Sequence, residues 1–258
     1  MEAFYFGPSE SYLFGVYYPR QNGNRNEGIV LCNPFGQEYM RAHRSMRRLA
    51  LNLAAQGYSV LRFDYRGTGD SAGTIETASP LVWQDDIRHA VQELIDIAAV
   101  PKVSLLGLRL GGLLAAGVAQ ESTNISRLLL WDSVISGQAY IDEIAGEITQ
   151  ANPERSRAKF VGADGSLHFN GFCLPHFFQQ ELIKLNLVEM NSLDKLGIAQ
   201  IISHETADFT ALKAKFDAHP KYYYELAPAP HDWNYVDHVG GILWPQPVME
   251  AIEQYFFR

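Results

Sequence analysis

The chain is short of cysteine and short of charge. It has two cysteines in 258 residues, and Asp, Glu, Lys and Arg together make up 19%. Cys32 and Cys173 lie far apart, with neither metal-ligand spacing nor a disulfide framework. No metal or other cofactor is therefore expected, and the pattern fits a reducing, cytoplasmic setting. Positive charge is in deficit, the formal net charge being -8. That balance disfavours nucleic acid or an anionic membrane surface as partner. No uncharged apolar run reaches about 18 residues, so no membrane span is expected. Met1-Glu2-Ala3-Phe4-Tyr5 lacks a basic region before an apolar stretch, so no signal peptide is expected either. Internal repeats and low-complexity segments are missing. What remains is a globular composition, 47% hydrophobic, long enough for one large α/β domain or two small ones.

Apolar patterning along the chain alternates between strand and helix. Phe4–Phe6 and Leu13–Tyr18 read as an opening antiparallel pair across Gly7-Pro8-Ser9. Strand-like runs follow at Gly28–Cys32, Tyr58–Asp64, Val103–Leu106 and Leu128–Asp132. Helical periodicity lies between them at Ala42–Gln56, Leu81–Ala98 and Leu110–Gln120. This βαβ spacing predicts a mostly parallel sheet covered by helices on both faces. The pattern breaks after Val134. Residues 138–190 offer helices at Gln138–Gln150 and Pro175–Leu185 with a hairpin near Gly162-Ala163-Asp164-Gly165, and read as an inserted lid. Strands return at Ile198–Ser203 and Tyr222–Leu226, and Pro247–Phe257 closes as a helix. Residues 1–137 and 191–258 would then form the core.

One further absence matters most. Gly107-Leu108-Arg109-Leu110-Gly111 lies between a strand and a helix, the layout of a G-x-S-x-G nucleophile elbow, but arginine stands where serine should be. A guanidinium stays protonated and cannot attack a carbonyl.

Three segments together resemble the α/β-hydrolase superfamily: Asn33-Pro34-Phe35-Gly36 after a strand, Asp64-Tyr65-Arg66-Gly67-Thr68-Gly69-Asp70-Ser71, and the elbow. The second is similar to the D-x-R-G-x-G-x-S segment of serine aminopeptidase-like and dienelactone hydrolase-like members. More narrowly, the elbow and Gly171-Phe172-Cys173-Leu174 resemble the exosortase A system-associated hydrolases of the second type. That resemblance implies arginine at the nucleophile position and a role in exopolysaccharide or exosortase-linked processes. The superfamily resemblance implies an α/β-hydrolase fold with an inserted lid, and oxyanion donors at the backbone N–H groups of Phe35 and Leu110. It also implies an acid after Ile198–Ser203, with Asp208 first and Glu205 second. A histidine is implied after Tyr222–Leu226, with His231 first and His238 second.

Each candidate has a structural reading beside the chemical one. Arg109 either forks onto a carboxylate or phosphate of a ligand, or forms an internal ion pair with Asp208, Glu205 or Asp132; we put the internal pair first. His231 is a general base or a loop-capping histidine, and Asp208 a triad acid or a helix N-cap. Cys32 reads as a buried hydrophobe, and Ser104 and Ser133 lack elbow geometry. Arg41, Arg44, Arg47 and Arg48 read as a solvated helix face. The expected function is a non-hydrolytic homologue that binds a small, possibly anionic, ligand or a protein partner. The alternative is an ester or thioester hydrolase with a displaced nucleophile or a histidine-activated water.

Overall fold

The computed structural model describes residues 1–23, 25–150, 160–234 and 241–258. Its main sheet has eight strands. β1 (Glu2–Phe6) and β2 (Leu13–Tyr18) pair antiparallel, and β2 continues antiparallel onto β4 (Ser59–Phe63). The rest are parallel: β3 (Glu27–Cys32), β5 (Lys102–Leu108), β6 (Ile125–Trp131), β10 (Gly197–Ile202) and β11 (Tyr222–Leu226). The spatial order is β1-β2-β4-β3-β5-β6-β10-β11. The expected α/β architecture is what the sequence folds into.

Side-chain alternation along the strands makes two cores. Val30 and Cys32 of β3 pack toward α2 (Pro80–Ala98) and α3 (Leu110–Glu121). Ile29 and Leu31 pack toward α1 (Gln37–Ala55) and α7 (Gln246–Phe257). Helix α1 begins at Gln37, earlier than the apolar periodicity from Ala42 suggested. Gly36 at φ 62 makes the turn that starts it, and this places Glu38 in the first helical turn. Arg41 is buried and pairs with Asp232, whereas Arg44, Arg47 and Arg48 are exposed as expected.

Between β6 and β10 the chain forms α4 (Gly137–Gln150), a separate antiparallel sheet of β7 (Phe160–Val161), β8 (Leu167–Phe169) and β9 (Phe172–Leu174), and α5 (His176–Leu182). The third strand of this sheet was not expected. Asn170 and Gly171, at φ 50 and 86, form the two-residue turn that joins β8 to β9. Asn-Gly is the preferred pair for such a turn, because both positions need a left-handed backbone.

The β5–α3 junction is packed backbone on backbone. A Cβ on Gly111 would lie 2.2 Å from the Cys32 carbonyl oxygen, and one on Gly107 would lie 2.4 Å from the Gly112 Cα. Neither neighbour can rotate away. Gly111→Ala is therefore expected to cost at least ~2 kcal/mol by overpacking. Chemical denaturation checks this, and an unchanged midpoint would refute the stated packing.

Candidate functional site around Arg109

Arg109 connects β5 to α3 at φ 51, ψ -121, a backbone conformation that non-glycine residues avoid. Three backbone hydrogen bonds hold it there. Its N–H donates to the Trp131 carbonyl at 3.1 Å, and its carbonyl accepts from Gly112 at 3.0 Å and Val134 at 3.1 Å. Arg109 thus holds a strained backbone conformation at the turn from β5 to α3.

The side chain meets the protein's own acids. Arg109 Nε donates to Glu38 Oε1 at 2.9 Å. Its Nη2 donates to both carboxylate oxygens of Glu143, at 2.7 and 2.8 Å. Glu38 comes from the first turn of α1 and Glu143 from α4. The Tyr140 ring lies 5.7 Å from the guanidinium carbon, and its hydroxyl donates to Glu38 Oε2 at 3.3 Å. Asn234 Nδ2 donates to Glu38 at 3.3 Å and to Glu143 at 3.4 Å. Arg109 is 8% exposed and Glu38 fully buried. The internal ion pair is therefore present, but Asp208, Glu205 and Asp132 are not its partners. Asp132 is buried at φ 40 and accepts from the Ser203 N–H and hydroxyl, both at 2.7 Å, and from Trp233 Nε1 at 3.3 Å. Asp208 and Glu205 are exposed.

One cation faces two carboxylates, and the energetics follow from that count. Burial works against the Arg109 charge, but Glu38 and Glu143 outweigh it and hold the guanidinium protonated, its pKa raised. Burial pushes the Glu38 carboxyl up to about 7, with Arg109 opposing and Glu143 adding to the rise. Glu38 is the desolvated acid of the two, since the Glu143 side chain is 44% exposed.

His231 Nδ1 sits 3.2 Å from the Ala229 carbonyl, and its ring stacks on His204 with centroids 3.7 Å apart. Among the described residues no hydrogen bond or ion pair joins His231 to Asp208 or Glu205. Asp208 lies in the first turn of α6 (Ala207–Phe216), and Thr206, not Asp208, caps that helix by accepting from Phe209 N–H at 3.1 Å. His238 lies outside the described residues. His204 was missed by the sequence reading, although it directly follows a predicted strand. Burial lowers its pKa, with Asp132 opposing and the neighbouring His231 and Arg109 adding to the drop. Phe35 and Leu110 sit at the two turns expected to carry oxyanion donors, and both are buried. Cys32 is fully buried, and burial pushes its thiol far up. Ser104 donates to Glu27, and Ser133 to the Val134 carbonyl at 3.0 Å. Among the described residues no group of three or more His, Cys, Asp or Glu is arranged for a metal, and no helix is long and apolar enough to cross a membrane.

The raised Glu38 pKa sets a pH dependence. A carboxyl whose folded pKa lies above its unfolded value contributes fully below about 4.5, and the contribution is lost as pH rises through about 7. Glu38→Gln mimics the protonated acid and removes that loss. Thermal melts from pH 5 to 8 should show the Glu38→Gln variant gaining on the parent protein as pH rises. Parallel curves would contradict the assignment.

This geometry has known relatives. A family model described as serine aminopeptidase, S33, matches residues 20–156. An uncharacterized protein of Mycobacterium tuberculosis is 33% identical over 112 residues, covering 42% of this chain and 37% of that protein. The match thus spans little more than a third of that relative's length. Among solved structures, Est1E of Butyrivibrio proteoclasticus with ferulic acid bound superimposes at TM-score 0.67 and 20% identity, covering 98% of this chain and 97% of that one. A hypothetical protein of Pseudomonas aeruginosa gives 0.69 at 14% identity, covering 99% and 92%. A Pyrococcus furiosus esterase gives 0.67 at 16% identity, covering 98% and 89%. With the family model matching more than half of its length and these folds superimposing over nearly all of it, the chain belongs to the serine aminopeptidase S33 family of the α/β-hydrolase superfamily.

Proposed function

We propose that this chain is a non-hydrolytic member of its family, in which the nucleophile position has become an internal ion-pair hub. One observation carries the reading: the Arg109 fork is filled by Glu38 and Glu143. A guanidinium so held neither attacks a carbonyl nor offers its charge to an incoming anion. With both acids ionised the trio carries one net negative charge, and with Glu38 protonated it is neutral. We therefore do not assign an anionic ligand to Arg109. In this reading the segment 138–190 serves as a lid whose helix α4 supplies Glu143 and closes the elbow. The resemblance to exosortase A system-associated hydrolases, which implies arginine at the same position, agrees with a converted site. It suggests service in exopolysaccharide or exosortase-linked processes, through a ligand or a protein partner.

The stacked pair His204–His231 favours a second reading. The rings lie 3.7 Å apart, and burial, with the neighbouring His231, lowers the His204 pKa and favours a neutral His204 imidazole able to take a proton from water. A histidine-activated water would then attack an ester or thioester, with the N–H groups of Phe35 and Leu110 polarising its carbonyl.

Turnover of p-nitrophenyl acetate, p-nitrophenyl butyrate and an acyl thioester separates the two. The non-hydrolytic reading predicts rates equal to the buffer rate, unchanged by His231→Ala. Turnover above background that His231→Ala abolishes would overturn it.

A further inference from the structure

A cavity of about 400 Å³ lies beside the turn Asn33-Pro34-Phe35-Gly36, and Arg109, His204 and His231 are not among the residues that line it. Its size is within the ~300–1,000 Å³ common for small-molecule sites. The walls are mostly apolar, with Phe35, Trp83, Phe172, Ile75 and Met40 contributing. They are also held in place. The Phe35 ring is clasped by Trp83 at 5.6 Å, Phe169 at 6.0 Å and Phe172 at 6.1 Å between centroids, and Tyr65 stacks on Trp83 at 4.8 Å. At Gly36, φ 62, a Cβ would come within 3.3 Å of the Phe172 ring, so the turn and β9 fit closely. A rigid aromatic cage around open space lacks dispersion partners on one side.

One wall is polar, and its chemistry is specific. Asp64 and Tyr39 both line the cavity. Tyr39 donates its hydroxyl to Asp64 Oδ1 at 3.0 Å, and the Asp70 N–H donates to Asp64 Oδ2 at 3.2 Å. Each carboxylate oxygen can accept two hydrogen bonds and accepts one of these, so this wall has acceptor capacity left for a further donor. Burial raises the Asp64 pKa, opposed by the Asp70 N–H, the Tyr39 hydroxyl and Arg62, and the ionised carboxylate repels an anion. Cys173 of β9 also lines the cavity and is partly exposed, while Cys32 is not reached by solvent.

We propose that this cavity is a binding site for a small molecule with an aryl or short alkyl body and one hydroxyl or amine donor, the donor meeting Asp64. The assignment does not rest on the non-hydrolytic reading, and ester turnover by a histidine-activated water would leave it standing.

Cys173 supplies the readout. The rate at which N-ethylmaleimide labels it would be followed by mass spectrometry on the whole protein, with 2-phenylethanol, 2-phenylethylamine or the anionic 3-phenylpropanoate added. Saturable slowing of at least about threefold by the alcohol or the amine, but not by the carboxylate, is the expected result. Ile75→Trp, which fills the cavity, should abolish the slowing. Calorimetric titration of the same three compounds against the parent protein and Ile75→Trp gives a second measurement independent of thiol reactivity. No saturable binding of either donor compound, binding that survives Ile75→Trp, or equal binding of 3-phenylpropanoate would each overturn the proposal.

Discussion

The fork between Arg109 and the carboxylates of Glu38 and Glu143 is the interaction on which the site depends. Removing a guanidinium from water is costly unless its donors are taken up. Here Nε and Nη2 donate to two acids from two distant segments, α1 and α4. The ion pair therefore also ties the segment between β6 and β10 to the core. Tyr140 and Asn234 extend the network by donating to the same carboxylates.

The elbow's strain makes sense only with this in view. A backbone at φ 51, ψ -121 costs on the order of 1–3 kcal/mol for a non-glycine residue. In an active hydrolase that conformation presents a serine. In this chain it presents arginine into a cage built from its own acids. The surrounding glycines, packed within 2.2–2.6 Å of where a Cβ would stand, impose the turn whatever residue sits at its tip.

Much of this was readable from local pattern. Strand and helix order follows from periodicity, and the elbow from glycines flanking an apolar strand. An internal acid as the partner of Arg109 was also foreseen, because a buried cation needs one. Its identity was not. Glu38 lies before the first helical period that α1 displays, and Glu143 sits beside Asp142 on a helix 34 residues further along the chain than Arg109. Only the topology brings them together. The preference for Asp208 came from its place after β10, but Thr206 caps α6 and leaves Asp208 facing solvent. The small sheet's third strand did carry a local signal, the Asn170-Gly171 turn between Phe169 and Phe172, which its short flanking strands obscured.

The central claim is that Arg109 is bound to the protein itself. A double-mutant cycle between Arg109→Met and Glu143→Gln, read by chemical denaturation at pH 8, measures that bond most directly. A coupling of about 1–3 kcal/mol is predicted for groups in direct contact. Additivity within ~0.3 kcal/mol would mean that the fork is not filled by Glu143, and would contradict the account.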